Sequence, residues 1–192
     1  MNGALYCEFK YATFSCPTRR SHQQDAEEKQ NSMTLKQALE PAVCRHEFPN
    51  FQVDVYALVL ENDGSTVSAA ITCAGAALAN AGIPMFDLIT SVTLGVQGNI
   101  LFLDPTLKEE NLCNTAMKVA TESVHYDNHG IIIMSMLHTN EQVSGFQQTG
   151  NINSESMDKA IKLLVEASKS IVPLVKKCLV KHVLKNTDSS VK

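Results

Sequence analysis

Tryptophan is absent from the sequence, and four Tyr and seven Phe bring the aromatics to only 6%. So few flat rings exclude a broad base-stacking platform of the kind that grips single-stranded nucleic acid. The six cysteines (Cys7, Cys16, Cys44, Cys73, Cys113, Cys178) contain no CxxC pair, so they read as reduced thiols of an intracellular protein, with Cys73 and Cys178 on apolar stripes. A basic leader is missing from Met1 to Phe9, where Glu8 interrupts the apolar run, and no secretory signal is expected. The longest uncharged stretch before the acids near Asp87, Val67 to Phe86, is full of Ala, Gly, Ser and Thr and holds Asn80 and Pro84. It reads as a packed helix and its exit, so a soluble protein without a membrane partner is expected.

What is present is globular. With 192 residues, 44% apolar and 19% charged, the chain can bury a real core and reads as one domain. Its net charge of −4 is unevenly spread: residues 1–155 carry −9 and residues 156–192 carry +5. An acidic body with a basic tail argues against indiscriminate nucleic-acid binding and leaves room for a local basic contact. The expected organisation is an α/β core over 1–155 and a C-terminal amphipathic helix and tail over 156–192, within the same domain.

Strand and helix signals alternate. Ala4 to Phe14 alternates as a strand, and Phe51 to Leu60 is a second. Between them Ser15 to Asn31 reads as polar loop, and Ser32 as the cap of a helix running to Val43, strained near its end by Pro41. Glu61 to Ser65 is a turn that opens an Ala-rich helix from Thr66 to about Ala81, ended by Gly82 and Pro84. Strands are expected at Leu88 to Val96 and Asn99 to Asp104, with Gly95 and Gly98 in the hairpin, then at Met117 to Ser123 and Gly130 to Leu137. Ser156 to Leu184 reads as one long helix with Met157, Ile161, Leu164, Ile171, Leu174 and Cys178 on its apolar face, bent by Pro173. Residues after Lys185 read as a frayed tail.

Four clusters have chemical potential. His125 and His129 have the spacing of zinc ligands on a helix, but Tyr126, Asp127, Asn128 and Gly130 favour a turn. Cys44, Arg45 and His46 lack a second ligand pair and read as a solvent-facing helix end. The amides of Asp63 to Thr66 could receive a phosphate at a helix N-terminus, although an ordinary capped turn explains them too. Asp104, Glu109 and Glu110 form the compact carboxylate set, either gathered on a divalent cation or solvated in a loop. No Ser–His–Asp or Cys–His arrangement is legible.

The runs Leu58-Val59-Leu60-Glu61-Asn62-Asp63-Gly64-Ser65-Thr66, Ala76 to Leu88, and Leu103-Asp104-Pro105-Thr106 with Glu109-Glu110 together resemble the RNase PH family, in its exosome-ring branch. Gln37 to Val43 and Val175 to Val180 fit as well. The resemblance implies a mixed α/β (α+β) fold, the RNase PH fold, ribosomal protein S5 domain 2-like, with the first sheet truncated at its N-terminal side. A shortened product of this kind would have a weak first half.

The family's reaction is phosphorolysis of RNA, and the resemblance places its phosphate turn at Ser65, Thr66 and Val67. Active relatives carry an arginine at the Val67 position, whose guanidinium forks onto the phosphate. Their two aspartates map to Asp104, which is retained, and Glu110, which is longer by one methylene. A further acidic position has no acid between Asn114 and Ala120. The expectation is therefore a non-enzyme with no catalytic residue, no metal and no cofactor, the phosphate and acidic positions being degenerate. Arg19 and Arg20 fall in a loop that in the family faces the central channel, and they are the RNA-binding candidates, for a weak contact. Asp25 to Lys29 should repel phosphate, and Lys176, Lys177, Lys181 and Lys185 read as a solvated face. The partners implied are other RNase PH-like exosome ring subunits and an S1-domain cap subunit, in the nucleus (nucleolus) and cytoplasm. An active phosphorolytic 3'–5' exoribonuclease, or an orphan product that does not assemble, are the competing readings.

Overall fold

A computed structural model of the chain describes residues 3–115 and 128–190. The elements run β1 (Ala4–Tyr11), α1 (Ala26–Leu39), β2 (Gln52–Val59), α2 (Thr66–Asn80), β3 (Ile89–Gln97), β4 (Ile100–Leu103), α3 (Leu107–Thr115), β5 (His129–Leu137), β6 (Gln142–Asn151) and α4 (Ser154–Ser190). They form a mixed α/β structure with a parallel β1–β2 pair and an antiparallel four-stranded sheet in the order β4-β3-β5-β6. The expected strands at the two ends of the first unit and the β3–β4 hairpin are all present. Met117 to Ser123 and His125 lie outside the described residues.

The cap of helix α1 lies seven residues before the one expected at Ser32 and corrects that reading. Asp25 is its N-cap: its carboxylate accepts from the Glu28 amide while the Glu28 side chain accepts from the Asp25 amide, a reciprocal capping box. Composition hid this start, since the charged cluster that suggests a loop also supplies the acids a first turn favours. Ser32 instead turns its hydroxyl back onto the Glu28 carbonyl within the helix. At the other end α1 gives way to a short 3-10 turn over Glu40–Ala42 that holds Pro41, as the missing proline amide requires.

Strand β3 joins the two apolar clusters, because both its faces are covered. Val92, Leu94 and Val96 pack with Ile132, Met134, Ala160 and Leu164 toward α4. The alternate positions Ser91, Thr93 and Gly95 are small, so the layer on the other side can come close. Ser68 and Thr93 share a hydrogen bond of 2.6 Å, and the Ser91 amide donates to Thr72 Oγ1 at 3.0 Å. A Cβ on Gly75 would lie 2.5 Å from Ile89 Cγ2, so α2 packs at a distance only glycine permits there. Gly95 thus belongs inside β3, and the hairpin turn falls to Gly98, whose φ is 58°.

Two elements went unforeseen. Strand β6 reads as polar because one face is exposed and it contains Gly145 and Gly150; α3 begins right after Pro105 and Thr106. Helix α4 reaches Ser190, beyond the expected end. Its buried seam runs through Ser156, Ala160, Leu164, Ser168 and Val172 at four-residue spacing, with Met157 and Ile171 of the expected face packed beside it. Ile161 and Leu174 are exposed, as are Cys73 and Cys178. Small residues face the sheet here because helix and sheet are close, and bulk is displaced to the flanks. All six cysteines are free thiols, with Cys7, Cys44 and Cys113 buried.

Glu28 is 2% exposed, and besides closing the helix cap it accepts the Tyr11 amide of β1 at 2.8 Å. Glu28→Ala removes a cap and orphans a buried N–H, so it should cost roughly 2–4 kcal/mol. Glu28→Gln keeps an acceptor and should cost less than half of that. Urea unfolding of both variants checks this; a loss below about 0.5 kcal/mol for Glu28→Ala would refute the role.

Candidate functional site

The N-terminus of α2 lies where the two sheets meet. Gly64 (φ 98°) and Ser65 (φ 51°) both take left-handed backbone, turning the chain from β2 sharply into α2. A Cβ on Gly64 would come within 2.3 Å of the Pro105 carbonyl oxygen, so glycine is required by close approach as well as by φ. Asn62 organises the turn through its side-chain oxygen, which accepts the Gly64 amide at 3.2 Å and the Thr66 hydroxyl at 2.5 Å. Across the joint, the Leu107 amide donates to the Asp63 carbonyl at 2.8 Å and the Ser65 hydroxyl to the Pro105 carbonyl at 3.1 Å.

One of the amides that an anion could use is already engaged. Ser65 N–H donates to Glu110 Oε1 at 2.8 Å. A carboxylate from α3 therefore caps α2 and satisfies one of its free amides. Glu109 does the same for its own helix, accepting the Thr106 amide at 2.8 Å and its hydroxyl at 2.9 Å. Asp104 remains exposed on a left-handed backbone, φ 54°. The three acids do not converge on one point: one caps α2, one caps α3 and one faces water. This donor set does not fit a divalent cation, and among the described residues no group of three or more His, Cys, Asp or Glu is placed to hold one. The expected solvated loop for Asp104 to Glu110 is corrected to a turn and the start of α3.

Val67, the third position of the turn, packs partly buried against the first apolar cluster. Arg20 and Arg19 fare differently. The Arg20 guanidinium pairs with Asp25 at 3.3 Å and Glu27 at 3.0 Å, stacks 4.1 Å over the Tyr11 ring, and donates from Nε to Cys16 Sγ at 3.1 Å. Burial would raise the Cys16 thiol, but hydrogen bonds from Ser15, Arg20 and Asn62 outweigh it and hold it below the usual thiol range. Arg20 is thus committed to its own loop, whereas Arg19 is exposed. Asp25 and Glu27, read from sequence as repelling phosphate, instead neutralise Arg20.

The loop and the turn are neighbours. Asn62 N–H donates to the Ser15 carbonyl at 2.8 Å, and its side-chain amide reaches Cys16 Sγ at 3.8 Å. The tertiary fold therefore does bring together Ser65, Thr66, Glu110 and the Arg20 loop, which are far apart in sequence. The residues that sequence reasoning missed are Asn62, Cys16 and Glu28. Only Asn62 carried a local signal, as a turn former before Gly64. Of the expected solvent-facing helix end at Cys44 to His46, His46 is exposed but Cys44 is buried, which corrects that part, and His129 starts β5.

The 3' exoribonuclease family matches the chain in two parts, its domain 1 over residues 1–84 and its domain 2 over residues 87–167. The chain is 33% identical to an exosome complex component RRP41-like protein of Arabidopsis thaliana, across 92% of this chain and 62% of that protein. It is likewise 33% identical to human exosome complex component MTR3, across 94% of this chain and 62% of the relative. The crystal structure of rice (Oryza sativa) Rrp46 superposes with a TM-score of 0.70 at 23% identity, covering 93% of this chain and 73% of that one. This likeness shows the fold. The chain spans a little over three fifths of the length of the curated relatives it matches.

Burial pushes the Glu110 carboxyl above its ordinary value of 4.5; the Ser65 amide opposes the rise, and the negative charges of Asp104 and Glu27 add to it. A raised value means the folded chain holds this proton more tightly than the unfolded chain. Its contribution is full below about 4.5 and is lost as pH rises through the folded value. Glu110→Gln keeps an acceptor for Ser65 and removes the titration. It should be at least as stable as the parent at pH 7 and should lack this decline, as urea midpoints measured from pH 4 to pH 7 will report.

Proposed function

The chain belongs to the 3' exoribonuclease family, the RNase PH family, and on that premise we propose that it is a catalytically silent exosome ring subunit that supports 3'–5' RNA processing and decay. The observation that carries this reading is the seat of Glu110. Phosphorolysis needs an anionic phosphate held by positive charge and free amides. Here the Ser65 amide is occupied by a carboxylate. Asp104 lies close enough to Glu110 to raise its pKa, so an approaching phosphate meets negative charge. The position where the family resemblance implies an arginine is Val67, half-buried against apolar side chains, and Arg20 is neutralised by two acids.

Its partners in this reading are other RNase PH-like ring subunits and an S1-domain cap subunit, and its locations are the nucleus, including the nucleolus, and the cytoplasm. The likeness to exosome components of plant and human origin supports the assembly part. RNA would meet the chain weakly, through exposed Arg19 rather than Arg20. Among the described residues no helix is long and apolar enough to cross a membrane. The reaction requires no cofactor of this chain, because it performs none.

Two measurements test the reading. Incubated with RNA and inorganic phosphate, the purified chain should release no nucleoside diphosphate, and Asp104→Ala should change nothing. Val67→Arg alone should create no activity, although a charge of this type is worth about 10²–10³ in rate, because the Ser65 amide would still be held by Glu110. Phosphate-dependent release that Asp104→Ala abolishes would make the protein an enzyme. Tagged in cells, the chain should co-purify with ring and cap subunits, and failure to do so would defeat the assembly part separately.

A further inference from the structure

Strand β3 meets α4 through apolar side chains at Val92, Leu94 and Val96, but at its first turn of contact the seam is polar. Thr90 of β3 and Ser168 of α4 are both 0% exposed, and their hydroxyls lie 2.9 Å apart. The third member is His138, which directly follows β5. Its Nε2 stands 2.6 Å from Thr90 Oγ1 and 3.3 Å from Ser168 Oγ. Three elements therefore join at one triangle of polar atoms. The turn that His138 begins holds α4 a second time, since Lys169 Nζ donates to Glu141 Oε1 at 2.7 Å.

The hydrogens available within the triangle select one state of the imidazole. Among the described residues the side chains of Thr90 and Ser168 bond to each other and to His138. Ser168 can donate to Thr90 and Thr90 to Nε2, which satisfies both hydroxyls if Nε2 is bare and the ring proton sits on Nδ1. A hydrogen on Nε2 removes the only lone pair of that nitrogen. Nε2 then donates to Thr90 and Thr90 to Ser168, and the Ser168 hydroxyl is left buried without an acceptor in the triangle. Charge acts the same way. Burial holds the ring below its ordinary value of 6.5; Asp87 opposes this, Lys176 and Lys169 of α4 reinforce it, and Glu141 opposes it again. The Asp87 carboxylate is already committed, accepting the Leu88 amide at 2.7 Å and the Thr139 amide at 2.5 Å.

We propose that His138 is a proton-operated clasp on α4: the neutral ring holds the helix on β3 at Ser168, and protonation frees the helix from that point toward its C-terminal end. Two effects combine in the protonated state, a stranded buried hydroxyl and a new cation facing Lys169 and Lys176. Release can stay local because the distal helix has little else to hold it. No residue from Pro173 to Lys185 is buried, and Leu174 and Val180 are well exposed. The folded chain binds this proton less tightly than the open one. The clasp is therefore whole above about 6.5 and is lost as pH falls through the lower, folded value.

Nitrogen NMR of the His138 ring in the full chain reads its state directly. At pH 7.5 Nε2 should show the shift of a bare ring nitrogen and Nδ1 that of a protonated one, with a titration midpoint below 6.5. Amide protection from Ser168 to Leu179, corrected for intrinsic exchange, is then compared at pH 7.5 and at one unit below that midpoint. Linkage sets the size of the change: each unit by which the midpoint lies below 6.5 should lower this protection about tenfold, while β3 and β5 keep theirs. His138→Gln offers Thr90 an acceptor that does not titrate, and its α4 protection should change less than about twofold between the two conditions. A hydrogen on Nε2 at pH 7.5, or a midpoint at or above 6.5, would overturn the proposal on the parent chain alone, whether or not the variant folds. So would α4 protection that ignores the titration of His138, or a fall that persists in folded His138→Gln. An equal loss in β3 and β5 would overturn it as well, because the whole chain would then be unfolding rather than one helix lifting.

Discussion

The joint at Gly64 and Ser65 holds the two sheets together. On one side stands β2 with the first apolar cluster; on the other, the turn after β4 and helix α3. Gly64 lets the backbones approach to a distance that no side chain would allow, and the close approach then aligns Leu107 with Asp63, Ser65 with Pro105, and Glu110 with the first amide of α2. Each bond is modest alone, worth on the order of 1 kcal/mol net. Together they fix where α2 begins and which amides it can offer. The carboxylate that completes the joint also engages the Ser65 amide at the start of α2.

Strand β3 distributes the rest of the fold. Its two faces have different characters, one apolar toward α4 and one of small hydroxyls toward α2. The hydroxyl face buries Ser68, Ser91, Thr93 and Ser135, which bond to one another and to the Met134 carbonyl. Buried hydroxyls are tolerated because all of these find partners. They cost packing bulk but permit the short helix-to-sheet distance that glycine at position 75 also serves. The same logic selects Ala160 and Ser168 for the buried seam of α4.

Charge around the joint is arranged for internal satisfaction. Arg20 is surrounded by Asp25, Glu27, the Tyr11 ring and Cys16, and Glu28 is spent on the β1 edge and its own helix. What remains near the α2 N-terminus is acidic, with Asp104 exposed beside Glu110.

The sequence by itself determined the class of fold, the order of β1 to β4, the limits of α2 and the identity of the family, because these rest on local signals. Alternation of apolar residues, the turn from Glu61 to Ser65, and Gly82 before Pro84 act over a few residues and need no tertiary context. Helix α1 was misread because an acidic capping box and a polar loop share a composition, and they differ only in whether Asp25 and Glu28 bond reciprocally. The apolar face expected for α4 holds at Met157, Leu164 and Ile171, which pack on the core, but not at Ile161, Leu174 and Cys178, which are exposed; close packing places Ala160 and Ser168 in the seam as well. Only the tertiary structure decided that Glu110 caps α2 and that Arg20 is already paired. Those outcomes depend on contacts between groups as many as 45 residues apart. Hydrogen bonds of that reach leave no periodic trace in the chain, since they depend on where packed elements bring two side chains rather than on what lies beside each in sequence.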